Sequence, residues 1–161
     1  MTALRISVAD LLRHPGARRS VRLEATVPGL AGSAATVPDE LPLVVDLVLE
    51  RVPDGIVVQG EIDGSWRAQC SRCLNPVESD FAVSVRELFE PEPVEGETYA
   101  LDGEEIDLDQ LLRDTVLLEL PLAPTCGDGG CDCAGDDVAG GEPVEPEIDP
   151  RWRVLSELDL S

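Results

Sequence analysis

The stretch LVVDLVLERVPDGIVVQGEIDG, residues 43–64, reads as two strands and two turns. Leu43, Val45, Leu47 and Leu49 recur at every second position, so they share one face of a strand. Asp54-Gly55 follows Pro53 and is a hairpin signal, because a tight turn needs positive φ and Asp-Gly tolerates it. Ile56, Val58, Gly60 and Ile62 line the next strand, and Asp63-Gly64 is a second hairpin signal. Further on, Trp66, Ala68 and Cys70 alternate with Arg67, Gln69 and Ser71. After Cys73, Phe81, Val83 and Val85 lie opposite Asp80, Ser84 and Arg86. Four strands joined by short turns predict an antiparallel meander with one apolar and one polar face.

Toward the N-terminus, Leu4 to Val8 alternates like a strand, and Ser7 or Asp10 is placed to cap a short helix through Leu12, ending near His14-Pro15-Gly16. Ser20 to Val27 is a further strand, with Val21, Leu23, Ala25 and Val27 on one face. Ala31 to Pro42 is small and turn-rich, hence a loop. Toward the C-terminus, Glu90 to Glu97 is an acidic, proline-broken linker. Asp107 is placed as the N-cap of a helix carrying Leu108, Leu111, Leu112, Thr115 and Leu118, which Pro121 stops. Pro121 to Pro150 reads mostly as loop, and Trp152, Leu155 and Leu158 recur at spacing three in a short docking turn. The expected fold class is α+β. It is an antiparallel β-meander of about five to six strands with one or two packed helices and a loop-rich, Cys-bearing acidic C-terminal region. The chain is expected to be a single domain, divided into a core at 1–125, an acidic Cys-bearing loop at 126–149 and a docking segment at 150–161.

A length of 161 residues suits one domain, and 43% hydrophobic content argues against wholesale disorder. The formal net charge is -21. Residues 1–37 carry five Arg against two acids, whereas residues 90–161 carry 21 acids against three Arg. Such a charge disfavours a grip on a phosphate backbone, DNA included, and on an anionic membrane. It leaves room for basic protein partners. Every Lys/Arg position is Arg, which matches a GC-rich codon bias. The first ten residues lack an apolar signal-peptide core, and no apolar run is long enough to span a bilayer. The expected location is cytoplasmic.

Five cysteines in such a chain point to metal or thiol chemistry before disulfides. Cys70-Ser71-Arg72-Cys73 is a C-x2-C pair at a strand end, and Cys126 and Cys131 form a second pair. Both spacings bring two thiolates onto one tetrahedral zinc. Cys133 lies one residue past Asp132 and serves as the alternative to Cys131. Four thiolates on zinc would tie the acidic loop to the sheet, because binding free energy appears as folding free energy. Packed thiols without metal and a redox C-x2-C are the competing readings. The redox reading is weakest, since reactive pairs usually sit at a helix N-terminus.

Little else carries chemistry. His14, the one histidine, stands in a turn and reads as a surface residue. Glu104, Glu105, Asp107 and Asp109 suit a solvated helix entrance. Gly127-Asp128-Gly129-Gly130 lacks the Lys and helix of a phosphate loop. Arg18, Arg19 and Arg22 form the one basic cluster, either a charge-guarded strand edge or a small contact patch for RNA or a partner.

Three motifs in order carry a resemblance: Cys70-Ser71-Arg72-Cys73-Leu74, then Leu120-Pro121-Leu122-Ala123-Pro124-Thr125-Cys126, then Asp149-Pro150-Arg151-Trp152 with Leu155 and Leu158. Together they resemble the YceD family, the large ribosomal RNA subunit accumulation proteins. The resemblance implies a non-enzymatic, cytoplasmic factor supporting accumulation of 23S rRNA and large-subunit biogenesis, acting with a ribosomal protein or assembly factor. The compressed Gly130-Cys131-Asp132-Cys133-Ala134-Gly135 departs from the family's longer Cys-x2-Cys-Gly ending. The alternative function is a zinc-binding or thiol-redox protein unrelated to ribosomes.

Overall fold

A computed structural model of the chain describes residues 4–126. Cys131, Cys133 and the 150–161 segment with Trp152, Leu155 and Leu158 lie outside the described residues. The elements are β1 (Arg5–Ser7), α1 (Ala9–Leu12), β2 (Arg18–Ala25), β3 (Ala35–Thr36), β4 (Leu43–Val52), β5 (Gly55–Gln69), β6 (Pro76–Glu90), β7 (Tyr99–Asp102), β8 (Glu105–Asp107) and α2 (Asp109–Glu119). They form one curled sheet in the order β1-β8-β7-β6-β5-β4-β2, with β3 paired to β5.

The meander is present from β4 to β6, where alternation is strongest. Beyond β6 the expectation is corrected: among the described residues there are eight strands, and β7 runs parallel to β6 through Phe89↔Tyr99 and Glu90↔Ala100. The acidic linker at 90–97 is long enough to carry the chain back alongside β6 rather than reverse it. The sheet is therefore mixed. Its two ends approach each other through β1, α1 and β2. The Arg19 guanidinium on β2 donates to the Ser7 carbonyl at 2.6 Å and to the Asp10 carboxylate at 2.8 Å.

The hairpin expected at Asp54-Gly55 forms, but its two turn residues are Pro53 and Asp54, because Gly55 already pairs with Val52 as the first residue of β5. Asp63-Gly64 does not. β5 runs straight through it and pairs with β6 from Ile56↔Phe89 to Gln69↔Pro76. Gly64 serves packing instead of turning: a Cβ there would stand 2.6 Å from Phe81 Cζ and 2.7 Å from Leu43 Cδ2. A Gly64→Val substitution is expected to lower stability by about 1–3 kcal/mol through overpacking, read by urea unfolding. A variant as stable as the parent would show that the site has room. The second tight reversal occurs later, at Cys70–Asn75.

The core is made of Leu, Val and Ile from alternate positions: Leu43, Val45, Leu47 and Leu49 on β4, and Ile56, Val58 and Ile62 on β5, all buried. α2 closes the core with Leu108, Leu111, Leu112 and Val116. Leu118 departs from the expected stripe and is 89% exposed, because six residues at about 100° each place it about 120° round the helix from Leu112. The caps also differ from expectation. Val8 holds the α1 N-cap with no side-chain bond, since Asp10 is engaged by Arg19. Leu108 holds the α2 N-cap, while the Asp107 carboxylate accepts the Asp109 N–H at 3.0 Å from one position earlier.

Candidate metal centre

The C-x2-C pair lies in the connection between the two longest strands. Cys70 follows β5 directly, and the chain doubles back before Pro76 opens β6. Two backbone bonds close the turn: Cys70 N–H donates to the Asn75 carbonyl at 2.8 Å, and Leu74 N–H donates to the Cys70 carbonyl at 3.0 Å. Leu74 sits at φ 62, a left-handed conformation that lets the chain reverse just after the second cysteine. The turn directs backbone N–H groups at Cys70, with Arg72 N–H 3.5 Å from its Sγ.

The third thiol arrives from the far side of α2. Ser71 N–H donates to the Pro124 carbonyl at 2.8 Å, which lays the Pro121–Cys126 segment against the turn. Cys126 Sγ then stands 3.5 Å from Cys73 Sγ. The three sulfurs of Cys70, Cys73 and Cys126 all lie within 4.8 Å of one another. Thiolates on a tetrahedral ion at about 2.3 Å are ~3.8 Å apart, so the cluster fits a shared cation. The backbone N–H groups of Cys73 and Arg72 pull the Cys70 thiol down to about 6. Burial, and then the neighbouring sulfurs of Cys73 and Cys70, push the Cys126 thiol up to about 12. Negative charge on one sulfur thus opposes charge on the next, and a cation among them removes that opposition.

Cys131, the fourth expected ligand, and its alternative Cys133 lie outside the described residues, while the structure brings Cys70, Cys73 and Cys126 together. Their meeting depends on the Ser71–Pro124 backbone bond, which no side-chain pattern signals. His14 is exposed and stands apart, its Nδ1 3.2 Å from the Asp10 carbonyl.

The basic cluster is divided by the strand. Arg18 and Arg22 lie two pleats apart on one face of β2, beside Glu50 at 2.9 Å and Asp46 at 3.7 Å. Arg19 points to the other face and joins the sheet ends. Each of the three thus has a carboxylate neighbour, and they do not form one patch.

A curled mixed sheet with a cysteine turn between its longest strands defines a small β-rich protein with a thiol cluster fit for a metal ion. Residues 58–159 of the chain, which take in β6–β8, α2 and all five cysteines, match the family described as "Large ribosomal RNA subunit accumulation protein YceD". The chain belongs to the YceD family. It is 34% identical over 168 residues to an uncharacterized protein of Mycobacterium tuberculosis, covering 95% of this chain and 80% of the relative. An uncharacterized protein of Mycobacterium leprae is 32% identical over 171 residues, covering 94% of this chain and 75% of the relative. The uncharacterized protein YlbN of Bacillus subtilis is 28% identical over 107 residues, covering 60% of this chain and 62% of the relative. No solved structure matches. The family is named for a ribosome-related role and not for a reaction. Among the described residues, no helix is long and apolar enough to cross a membrane.

Proposed function

We propose that the chain is a non-enzymatic, cytoplasmic factor that supports 23S rRNA accumulation and large-subunit biogenesis, with a structural zinc ion held by Cys70, Cys73, Cys126 and Cys131, or Cys133 in place of Cys131. Family membership over residues 58–159 carries this reading. The three clustered sulfurs support the metal, and zinc suits an all-thiolate tetrahedral set. A bound zinc ion supplies the positive charge that lets neighbouring thiolates coexist. The residues themselves do the holding: Cys70 and Cys73 from the sheet, and Cys126 from the segment leading into the acidic C-terminal half.

A net charge of -21 supports a basic ribosomal protein or large-subunit assembly factor as the direct partner. Any contact with rRNA is local and falls to Arg18 and Arg22, whose pairs are exposed and easily exchanged. Arg19 is committed to the sheet ends. The thiol-redox alternative draws on the lowered Cys70 thiol. Against it, Cys70 is fully buried, where exchange with a second thiol is hindered.

The test is loss of the gene followed by pulse-labelling of rRNA. The reading expects 23S rRNA to fall relative to 16S, with restoration by the intact chain. An unchanged ratio would contradict it.

A further inference from the structure

Between the 90–98 connection and α2 lies a groove of about 880 Å³. Its wall carries Glu87, Glu95, Glu97, Asp102 and Asp114, none of which forms an ion pair among the described residues. Asp107 and Asp109, at the same wall, face Arg5 at 3.2 Å and Arg113 at 3.6 Å. No arginine lines the groove. Its apolar surface comes from Pro93, Tyr99 and the exposed Leu118. Leu118 lies off the core-facing stripe of α2, so the core does not account for it. The Tyr99 hydroxyl donates to Asp114 at 3.2 Å. Its ionisation is pushed up to about 12, first by burial and then by the charge of Asp114, the hydrogen bond to Asp114 and the charge of Glu87.

We propose that this groove docks an extended Arg/Lys-rich segment of a basic protein, with one apolar side chain of that segment resting on Tyr99 and Leu118. The inference rests on the preceding reading only for the partner's ribosomal setting. Charge complementarity selects the occupant. Nucleic acid meets five carboxylates without cations and is repelled, whereas guanidinium and ammonium groups meet acceptors on both walls. The apolar patch makes docking more than a counterion effect, because Leu118 leaves water when the segment lies down.

The test is fluorescence anisotropy of the full chain with a labelled synthetic peptide of Arg, Lys and Leu at physiological salt. A Glu95→Gln/Glu97→Gln/Asp102→Asn variant is expected to weaken binding by about tenfold or more. A charge-matched control, Asp39→Asn/Asp54→Asn/Glu61→Gln, changes three exposed acids elsewhere and is expected to change it by less than about twofold. A Leu118→Ser variant is expected to weaken it as well, with little dependence on salt. Equal losses in the two triple variants would overturn the groove in favour of net charge alone, as would failure of the peptide to bind. The two readings fail separately. Full restoration of 23S rRNA by a groove variant that no longer binds peptide would remove the groove from the function. An unchanged 23S to 16S ratio on gene loss would remove the ribosomal role while leaving the groove's binding intact.

Discussion

Substituting Cys70 by serine is expected to abolish zinc-dependent stabilisation of the whole chain. Cys70 is fully buried, sits at the junction of the two longest strands and receives the backbone N–H groups of its own turn. A metal that binds only the native state adds about 4 kcal/mol at a free concentration a thousandfold above its dissociation constant. For a chain of this length each kcal/mol moves the midpoint by about 2–4 °C, so zinc should raise the thermal midpoint of the parent by roughly 10 °C. Cys70→Ser should melt near the zinc-free parent and respond weakly to added zinc. The sheet should survive, because Leu43, Leu47, Ile56 and Ile62 give it a buried apolar core. Thermal melts with and without chelator read this directly. A Cys70→Ser chain with the parent's midpoint and zinc response would show that the sulfur is packing alone.

Phe89→Ala is expected to cost about 3–5 kcal/mol, by loss of burial and creation of a cavity. Phe89 is 1% exposed and stands at the point where β6 has two different neighbours, Ile56 on β5 and Tyr99 on β7. Its ring stacks on Tyr99 with centroids 5.2 Å apart and an interplanar angle of 25°. The chain holds only five aromatic residues, two Phe, two Trp and one Tyr, so little else of comparable size can fill the space. The short parallel pairing of β7 depends on this stack, and its loss should also loosen the 90–98 connection. Phe89→Leu keeps most of the volume and should cost less than about 1.5 kcal/mol. Urea unfolding of both variants is the measurement. A Phe89→Ala chain within about 1 kcal/mol of the parent would show that β7 is held by its other contacts.

The β4–β5–β6 sheet was legible because its apolar residues alternate over long runs. Leu43 to Leu49 and Ile56 to Ile62 point their side chains where the period-two reading sends them. The same reading failed at Asp63-Gly64 because Asp-Gly has two meanings. It permits a turn, but the missing Cβ equally permits Phe81 and Leu43 to close over Gly64. β7 and β8 escaped because four and three residues are too few to show a period. Only Tyr99, Ala100, Leu101 and Ile106 are apolar there, and the Asp102-Gly103 turn, with Gly103 at φ 60, was the available signal. The parallel pairing depends on tertiary contacts between Phe89 and Tyr99, which local sequence does not encode. At the thiol cluster the cysteine spacing pointed to Cys70, Cys73 and Cys126, whose sulfurs the fold brings within 4.8 Å of one another. What brings them together is a backbone bond from Ser71 to Pro124. The basic cluster divides for a related reason: consecutive residues of a strand face opposite sides, so Arg19 turns to the sheet ends while Arg18 and Arg22 share the other face.

On the proposed reading a zinc ion shared by Cys70, Cys73 and Cys126 ties the segment that follows α2 to the sheet, and zinc content of the full chain tests it most directly. Protein purified without chelator is expected to hold about one zinc per chain, and a Cys70→Ser/Cys73→Ser variant less than about 0.2. A parent chain that also holds less than about 0.2 zinc would contradict the account.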